Sequence, residues 1–413
     1  HVGTARTALI NYLYARQHKG KFIVRTEDTD RERSKKEFEE NILNGLEALG
    51  ITHDEFYRQS ERVDIHKSYI QKMIEDETAY VSKEESKNEP GVEVEVVRLK
   101  NPNKDITFED LIRGEITFNT EELGDLVIAR RIDDPLYHLA VVIDDYEMGV
   151  THVIRGEDHI SNTPRQILIQ EALGFPRPVY AHMPLILAPD KSKLSKRHGA
   201  ISVDEYLEKY QPEALVNYLA LLGWNPGTDQ EIFSLEELIS RFDLTKMQKG
   251  GAIFSTEKLD SINHHYLRSL SDDEYTELIR KHVAEELVTK ITNASAQLTR
   301  TIVSVIRERA RNIEEIREML ETGELDFFIE SPTLVGADIT WKNSSADETK
   351  THLEHILSVY EETPAEGFKA ESMKNSVWDY ATEHGRGGVL WPLRYSLTGK
   401  EKSPDPFSVA EAI

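Results

Sequence analysis

Apolar residues recur at helical spacing over residues 5–19 (Ala8, Leu9, Tyr12, Leu13), and Gly20 follows as a stop, so the pattern predicts a first helix there. The short apolar run Phe22-Ile23-Val24 reads as a buried strand that ends in the charged cluster Arg25-Thr26-Glu27-Asp28-Thr29-Asp30. A second helix is predicted from a capping box, Ser34 to Glu37, with Phe38, Ile42, Leu46 and Leu49 buried ahead of Gly50. Helix, strand, helix is an α/β beginning. Further on, Val92, Val94 and Val96 alternate with Glu93 and Glu95 as a half-exposed strand, and the stretches 116–118 and 126–128 predict more strands of an antiparallel insertion. The run Leu139-Ala140-Val141-Val142-Ile143, closed by Asp144-Asp145, predicts a return to a buried strand, and Thr163-Pro164 introduces a helix through Leu168 and Ala172.

The second half of the chain is patterned almost wholly as helix. Ser202…Glu205, Ser234…Glu237 and Ser271…Glu274 are capping-box starts. Pro212 sits at a first helical position before Leu215, Tyr218, Leu219 and Leu222, with Gly223 as a stop. No internal repeat, low-complexity tract or long linker interrupts this pattern.

Composition narrows the class. The 413 residues exceed one ordinary core, and 39% hydrophobic content suits a folded, multi-domain chain. No stretch has the length and apolarity of a membrane span and no signal peptide is visible, so a cytoplasmic protein is expected. The absence of Cys removes disulfides, thiolate zinc sites and a Cys nucleophile. The 50 Lys+Arg against 74 Asp+Glu give a formal charge of −24, which opposes indiscriminate nucleic-acid binding but leaves room for a local basic track. The chain opens at His1 with no initiator Met, so it is expected to begin inside a longer reading frame.

Two segments carry candidate chemistry. His1-Val2-Gly3-Thr4 leads into a helix, where an imidazole, a glycine and helix amides can cradle a nucleotide, although such a tripeptide alone is more often an ordinary loop. Lys191-Ser192-Lys193-Leu194-Ser195-Lys196-Arg197-His198-Gly199 is a basic loop able to stabilise charge on a transferring phosphate, or else a solvated charge run. Together, His-Val-Gly-Thr and Lys-Leu-Ser-Lys-Arg resemble the two signature motifs of class I aminoacyl-tRNA synthetases. The segments between them narrow the likeness: Arg25 to Asp30, Arg113-Gly114-Glu115, Leu123-Gly124-Asp125, Arg155-Gly156-Glu157-Asp158-His159 and Asn162-Thr163-Pro164-Arg165-Gln166. In that order, and with Gly388 to Arg394 and Leu397 to Lys400 near the end, they resemble the bacterial-type glutamyl-tRNA synthetase family over essentially the whole chain.

The resemblance implies an α/β fold: a Rossmann-like class I synthetase catalytic domain with an α+β insertion, then mostly α-helical stem-contact and anticodon-binding domains. The expected divisions are residues 1–80 and 137–198 for the catalytic halves, 81–136 for the acceptor-binding insertion, 199–270 for stem contact and 271–413 for anticodon binding. Family members commonly carry an upstream Arg-Phe-Ala-Pro-Ser-Pro-Thr-Gly strand and loop, so the first strand of the catalytic sheet is expected to be missing, and the family's last helices continue past Ile413.

By resemblance the chain is a glutamate–tRNA ligase that activates L-glutamate with ATP and Mg²⁺ and transfers it to the terminal 2′-hydroxyl of tRNA(Glu), with tRNA(Gln) a further acceptor to be tested. His1, Gly3, Thr4, Lys193, Leu194 and Lys196 would line the ATP site, with Lys193, Ser195 and above all Lys196 stabilising the transition state. Glu27 would accept from the α-amino group, Tyr137 would pack on the amino acid, and Arg155 would fork onto the γ-carboxylate. An ion pair of Arg155 with Glu157 or Asp158, an acidic helix cap at Glu27 and a plain core tyrosine are the bland alternatives. No protein metal site and no zinc are expected, since residues 79–82 pass through the relatives' zinc region without a ligand. Arg130, Lys246, Lys249, Arg307 and Arg311 are the candidate tRNA contacts, exposed helix charge being their alternative. A monomer is expected. The competing reading is a tRNA-binding protein or paralogue that has lost or altered amino-acid activation. A pantothenate-synthetase-like ligase, a tRNA-modifying paralogue without an anticodon domain and a relative ending in β-barrels all fit the helical second half poorly.

Overall fold

The first helix, α1 (Val2–Gln17), starts on His1, whose ring Nδ1 accepts the Gly3 amide at 3.1 Å and so caps the helix. It ends in a Schellman arrangement: the Lys19 amide donates to the Arg16 carbonyl and the Gly20 amide to that of Ala15. The left-handed residue is Lys19, at φ 56°, so the stop falls one place before the glycine that predicted it. The structure, a computed structural model, describes residues 1–28, 34–86, 91–195, 202–342, 344–364 and 367–413. The chain folds as two compact units, His1–Leu207 with Gln211–Ile262, and Glu208–Tyr210 with Asn263–Ile413.

In the first unit β1 (Ile23–Thr26), α2 (Lys36–Ala48) and β2 (Glu55–Arg58) form a parallel crossover unit, Val24 pairing with Phe56. The predicted Ser34 box does not cap α2, because Lys35 is its N-cap and makes no side-chain capping bond. Leu46 and Leu49 are buried as expected, but Phe38 and Ile42 are 55% and 51% exposed. Their side of α2 lines an open cleft, so there is nothing there for them to pack on. After α3 (Val63–Glu75) come β3 (Ala79–Glu85), β4 (Glu93–Leu99), β5 (Asp105–Asp110), β6 (Gly114–Asn119), β7 (Leu126–Arg131) and β8 (Asp134–Pro135). Four of these form an antiparallel sheet in the order β3-β4-β7-β8.

The predicted strand at 139–143 is instead the middle of a helix, α4 (Tyr137–Glu147), with every residue from Leu139 to Asp144 buried. Five consecutive apolar residues fit a helix sunk in a core as well as they fit a buried strand. α4 packs with α3 and with α5 (Thr163–Leu173), and Ile70, Leu139, Ile143, Ile167 and Leu168 share the core of this unit. β9 (His152–Gly156) and β10 (Val179–Met183) flank α5 and pair in parallel. The sheet order β6-β5-β10-β9 puts the 105–119 hairpin, read from the sequence as part of the insertion, alongside these two strands. β11 (Ile186–Leu187), α6 (Val203–Leu207), α7 (Pro212–Leu221), α8 (Leu235–Arg241) and β12 (Ala252–Ile253) follow, β11 pairs with β12, and α9 (Thr256–Ser269) begins in this unit and is counted with the second from Asn263 on.

The second unit is helical: α10 (Asp272–His282), α11 (Glu285–Thr292), α12 (Ala296–Arg309), α13 (Ile313–Glu321), α14 (Ala346–Glu361), α15 (Ala370–His384), α16 (Arg386–Thr398) and α17 (Pro406–Ala412). Ser234 and Ser271 form the predicted capping boxes, and Ser345 with Glu348 forms another on α14. Pro212 occupies the start of α7 as expected. Among the described residues no helix is long and apolar enough to cross a membrane.

Candidate active site

The register of the β9–β10 pair sets the first part of the site. Arg155 and His182 are direct partners across the two strands, so their side chains leave the same face of the sheet. Arg155 Nε donates to His182 Nε2 at 3.2 Å and its Nη2 to Thr163 Oγ1, at the start of α5, at 2.8 Å. One strand further, Asp110 on β5 accepts from His182 Nδ1 at 2.6 Å and from the amides of Ile112, Arg113 and His182. The bland pairing of Arg155 with Glu157 or Asp158 does not form. Glu157 takes the Leu185 amide and the Arg113 guanidinium, and Asp158 takes Lys193.

The C-terminal end of β1 supplies the second part. Arg25 donates to Asp145 on α4 at 2.8 Å and to Glu27 at 3.3 Å. Burial opposes its charge, but Asp145 and Glu27 outweigh burial and hold the guanidinium protonated. Tyr137, first residue of α4, lies within the fields of Glu27, Arg155, Asp145 and Arg25, and burial followed by the Glu27 charge raises its phenol above the ordinary value. Arg155, Glu27, Arg25 and Asp145 are thus all near enough to act electrostatically on Tyr137. Two guanidiniums, two carboxylates and a phenol act on one another's charge, and of these Arg25 is already answered by Asp145 and Glu27.

The nucleotide candidates come from α1 and the basic loop. His1 Nδ1 accepts from Gly3, which places the ring proton of a neutral His1 on Nε2. Thr4, one turn into α1, lines a cleft of about 1600 Å³ together with Thr7, Asn11, residues 23–28 and Ile154. Leu194 is buried, its amide bound to the Ile186 carbonyl, and this pins the base of the basic loop to β11. Lys193 Nζ sits 2.9 Å from Asp158, three residues beyond Arg155, and Ser195 follows it. Burial raises and Lys193 lowers the Asp158 value, and the lysine prevails. Lys196 lies outside the described residues. Among the described residues no three His, Asp or Glu side chains gather to hold a metal ion.

The basic candidates fare unequally. Arg130 pairs with Asp134 at 3.6 Å, and Lys249 donates to the Arg113 carbonyl at 3.3 Å. Lys246 is exposed. In the second unit Arg307 is mostly covered, paired with Asp272 at 2.7 Å and lying 5.1 Å from the centre of the Tyr275 ring, and Arg311 is engaged by Glu315. Sequence reasoning missed Asp110, Thr163, His182, Asp145 and Asp158 as members of the site. Thr163 and Asp158 stand in quoted motifs, but nothing local marks Asp110 or His182, which strand pairing alone brings together.

The profile of the family described as tRNA synthetases class I (E and Q), catalytic domain, matches residues 1–90 and 82–261, and that of the anticodon binding domain matches 274–413. A glutamate–tRNA ligase of Carboxydothermus hydrogenoformans is 41% identical, covering 99% of this chain and 93% of the relative. That of Desulforamulus reducens is 36% identical over 100% of this chain and 94% of its own length. Among solved structures, a glutamate tRNA ligase of Elizabethkingia meningosepticum, in complex with its amino acid, superposes with a TM-score of 0.82 at 31% identity, covering 100% of this chain and 93% of that one.

Proposed function

The chain belongs to the class I aminoacyl-tRNA synthetases for glutamate and glutamine, and we infer that it is a glutamate–tRNA ligase. The observation that supports the choice of amino acid is that Tyr137 feels the charges of both Glu27 and Arg155, a carboxylate suited to an ammonium group and a guanidinium held by Thr163 and His182. In this reading Arg155 takes the glutamate γ-carboxylate, Glu27 the α-ammonium, and Tyr137 packs on and hydrogen-bonds to the amino acid. The α-carboxylate then attacks the α-phosphorus of ATP, the bond to pyrophosphate breaks, and glutamyl-adenylate forms. The terminal 2′-hydroxyl of tRNA attacks the adenylate carbonyl, and AMP leaves.

Positioning and charge stabilisation supply the rate, because the protein forms no covalent bond in either step. His1, Gly3 and Thr4 receive the nucleotide at the start of α1, with the imidazole Nε2–H as donor. Lys193 reaches the phosphates by exchanging Asp158 for them. Lys196 and Ser195 neutralise and hydrogen-bond the charge on the expelled pyrophosphate, with Lys196 the principal cation and the buried Leu194 anchoring the loop beside ATP. Mg²⁺ would be held largely by the ATP phosphates and water and would add positive charge there. The tRNA backbone lies against Arg130, Lys246 and Lys249, and Arg307 and Arg311 join them only by giving up Asp272 and Glu315. The enzyme works as a cytoplasmic monomer on tRNA(Glu), with residues 81–136 on the acceptor end, 199–270 on the stem and 271–413 on the anticodon.

ATP–pyrophosphate exchange with cognate tRNA tests this. Glutamate should support exchange, and Lys196→Ala should cut it by orders of magnitude with tRNA affinity nearly unchanged. Near-normal exchange in that variant would remove Lys196 from its role. Intact tRNA binding with no exchange by the wild type would favour a tRNA-binding protein without activation. Charging tRNA(Glu) and tRNA(Gln) side by side decides the breadth of the acceptor.

A further inference from the structure

His182 and Asp110 are fully buried, carry opposite charges when both ionise, and have no role in the chemistry above. Their contacts run in one direction. The Asp110 carboxylate can only accept, so the 2.6 Å bond from His182 Nδ1 fixes the ring proton on that nitrogen. Nε2 of the neutral ring then holds its lone pair toward Arg155 Nε, which can only donate, at 3.2 Å. Thr163 Oγ1 lies 3.1 Å from the same Nε2 and accepts from Arg155 Nη2. Two of the three guanidinium nitrogens are thus held along one edge, and Nη1 has no partner among the described residues.

We propose that His182 is the positioning residue for Arg155: held as one neutral tautomer by Asp110, it takes Arg155 Nε, so that the Nη1–Nη2 end is the one offered to the substrate side-chain carboxylate. The proposal rests on the reading of Arg155 as the glutamate side-chain contact. Every charged or polar group around the ring fits it. Burial opposes protonation of His182, Asp110 pulls the other way, and Arg155 and Arg113 add to the burial, so the ring stays neutral. Tyr180 stacks on the ring at 6.2 Å and sends its own hydroxyl to Gln170. A protonated His182 would turn an N–H toward the Arg155 N–H, and the acceptor that orients the guanidinium would be gone.

Two substitutions separate this role from a merely structural one. In His182→Gln the amide oxygen reaches the place of Nε2 and can accept from Arg155, but the bond to Asp110 is lost. In His182→Asn the amide nitrogen keeps the bond to Asp110 and nothing reaches Arg155. The measurement is the glutamate KM in ATP–pyrophosphate exchange by the full chain with tRNA, beside the ATP KM and the melting temperature. His182→Asn should raise the glutamate KM roughly tenfold or more, the loss expected for a hydrogen bond to a charged group, while the ATP KM holds. His182→Gln should stay near the wild type. An unchanged glutamate KM in His182→Asn, or a larger rise in His182→Gln than in His182→Asn, overturns the proposal. If either variant fails to melt cooperatively, Thr163→Val decides, since it removes the other acceptor without touching Asp110. A raised glutamate KM there supports positioning, and an unchanged one overturns it. Arg155→Ala keeps the two levels apart. If it leaves the glutamate KM unchanged, the reading of Arg155 fails, and if it raises the KM while His182→Asn is silent, the positioning role alone fails.

Discussion

At Lys19 a side chain occupies a backbone conformation that its own Cβ disfavours, with φ at 56° in the C′ position of α1. The neighbouring Gly20, with no left-handed φ, gains nothing from being glycine there. Lys19→Gly should therefore stabilise the first unit by about 0.5–1 kcal/mol, the strain relieved exceeding the added freedom of the unfolded chain. A urea midpoint that falls instead would show that the lysine side chain contributes more than its backbone costs. A second residue-scale effect is titration. His138 is depressed to about 4, by burial first and then by Arg165 and Arg155, and its Nδ1 has no hydrogen-bond partner among the described residues. A histidine with a folded value below its unfolded value of about 6.5 takes up its proton more readily when unfolded. Its contribution is then complete above pH 6.5 and is lost as pH falls from there toward 4. His138→Gln should flatten the fall of melting temperature across that window, and an acid limb of unchanged steepness would assign the loss to other groups.

Among the elements, α4 shows why some of the fold was legible in the sequence and some was not. The capping boxes at Ser234 and Ser271 were readable because a box is complete within four residues and tertiary packing hardly alters it. The run 139–143 was not, since burial on all sides erases the periodicity that separates helix from strand. What identifies α4 is distant. Its buried Asp144 accepts from Gln59 at 2.9 Å, Arg62 at 2.7 Å and His66 at 2.9 Å, tying the helix to α3 and the turn before it. Burial works against this carboxylate, but its three partners hold it below the ordinary range. Asp144→Ala leaves the Arg62 charge uncompensated and the Gln59 and His66 side chains without this acceptor, and should destabilise the first unit by about 3–5 kcal/mol. A calorimetric shift well below that would mean the cluster relaxes around the gap. The same division runs through the site. Glu27 and Arg155 stand in recognisable segments, and Tyr137 opens the buried run that follows the insertion. His182 is 27 residues from Arg155 and 72 from Asp110, and only the order β5-β10-β9 makes them neighbours.

For the whole molecule the governing quantity is where its charge of −24 is left uncompensated. Arg307, Arg309 and Arg311 look from the sequence like a basic stripe, but Asp272, Glu324 and Glu315 answer them one for one. Phosphate gains little at such a place, because each new contact breaks an old one and exposes a carboxylate to the RNA. Lys246 and Lys249 have no carboxylate partner among the described residues, so phosphate contacts there release counterions without that exchange. The difference is measurable in the dependence of tRNA affinity on salt. Each phosphate neutralised contributes about 0.7–0.9 to the slope of log affinity against log salt. Lys246→Ala and Lys249→Ala should each flatten the slope by about that much, while Arg311→Ala should leave it nearly unchanged. Should Arg311→Ala flatten the slope as far as the lysine variants do, the Glu315 pair opens on binding, and the stripe in the second unit belongs to the tRNA interface after all.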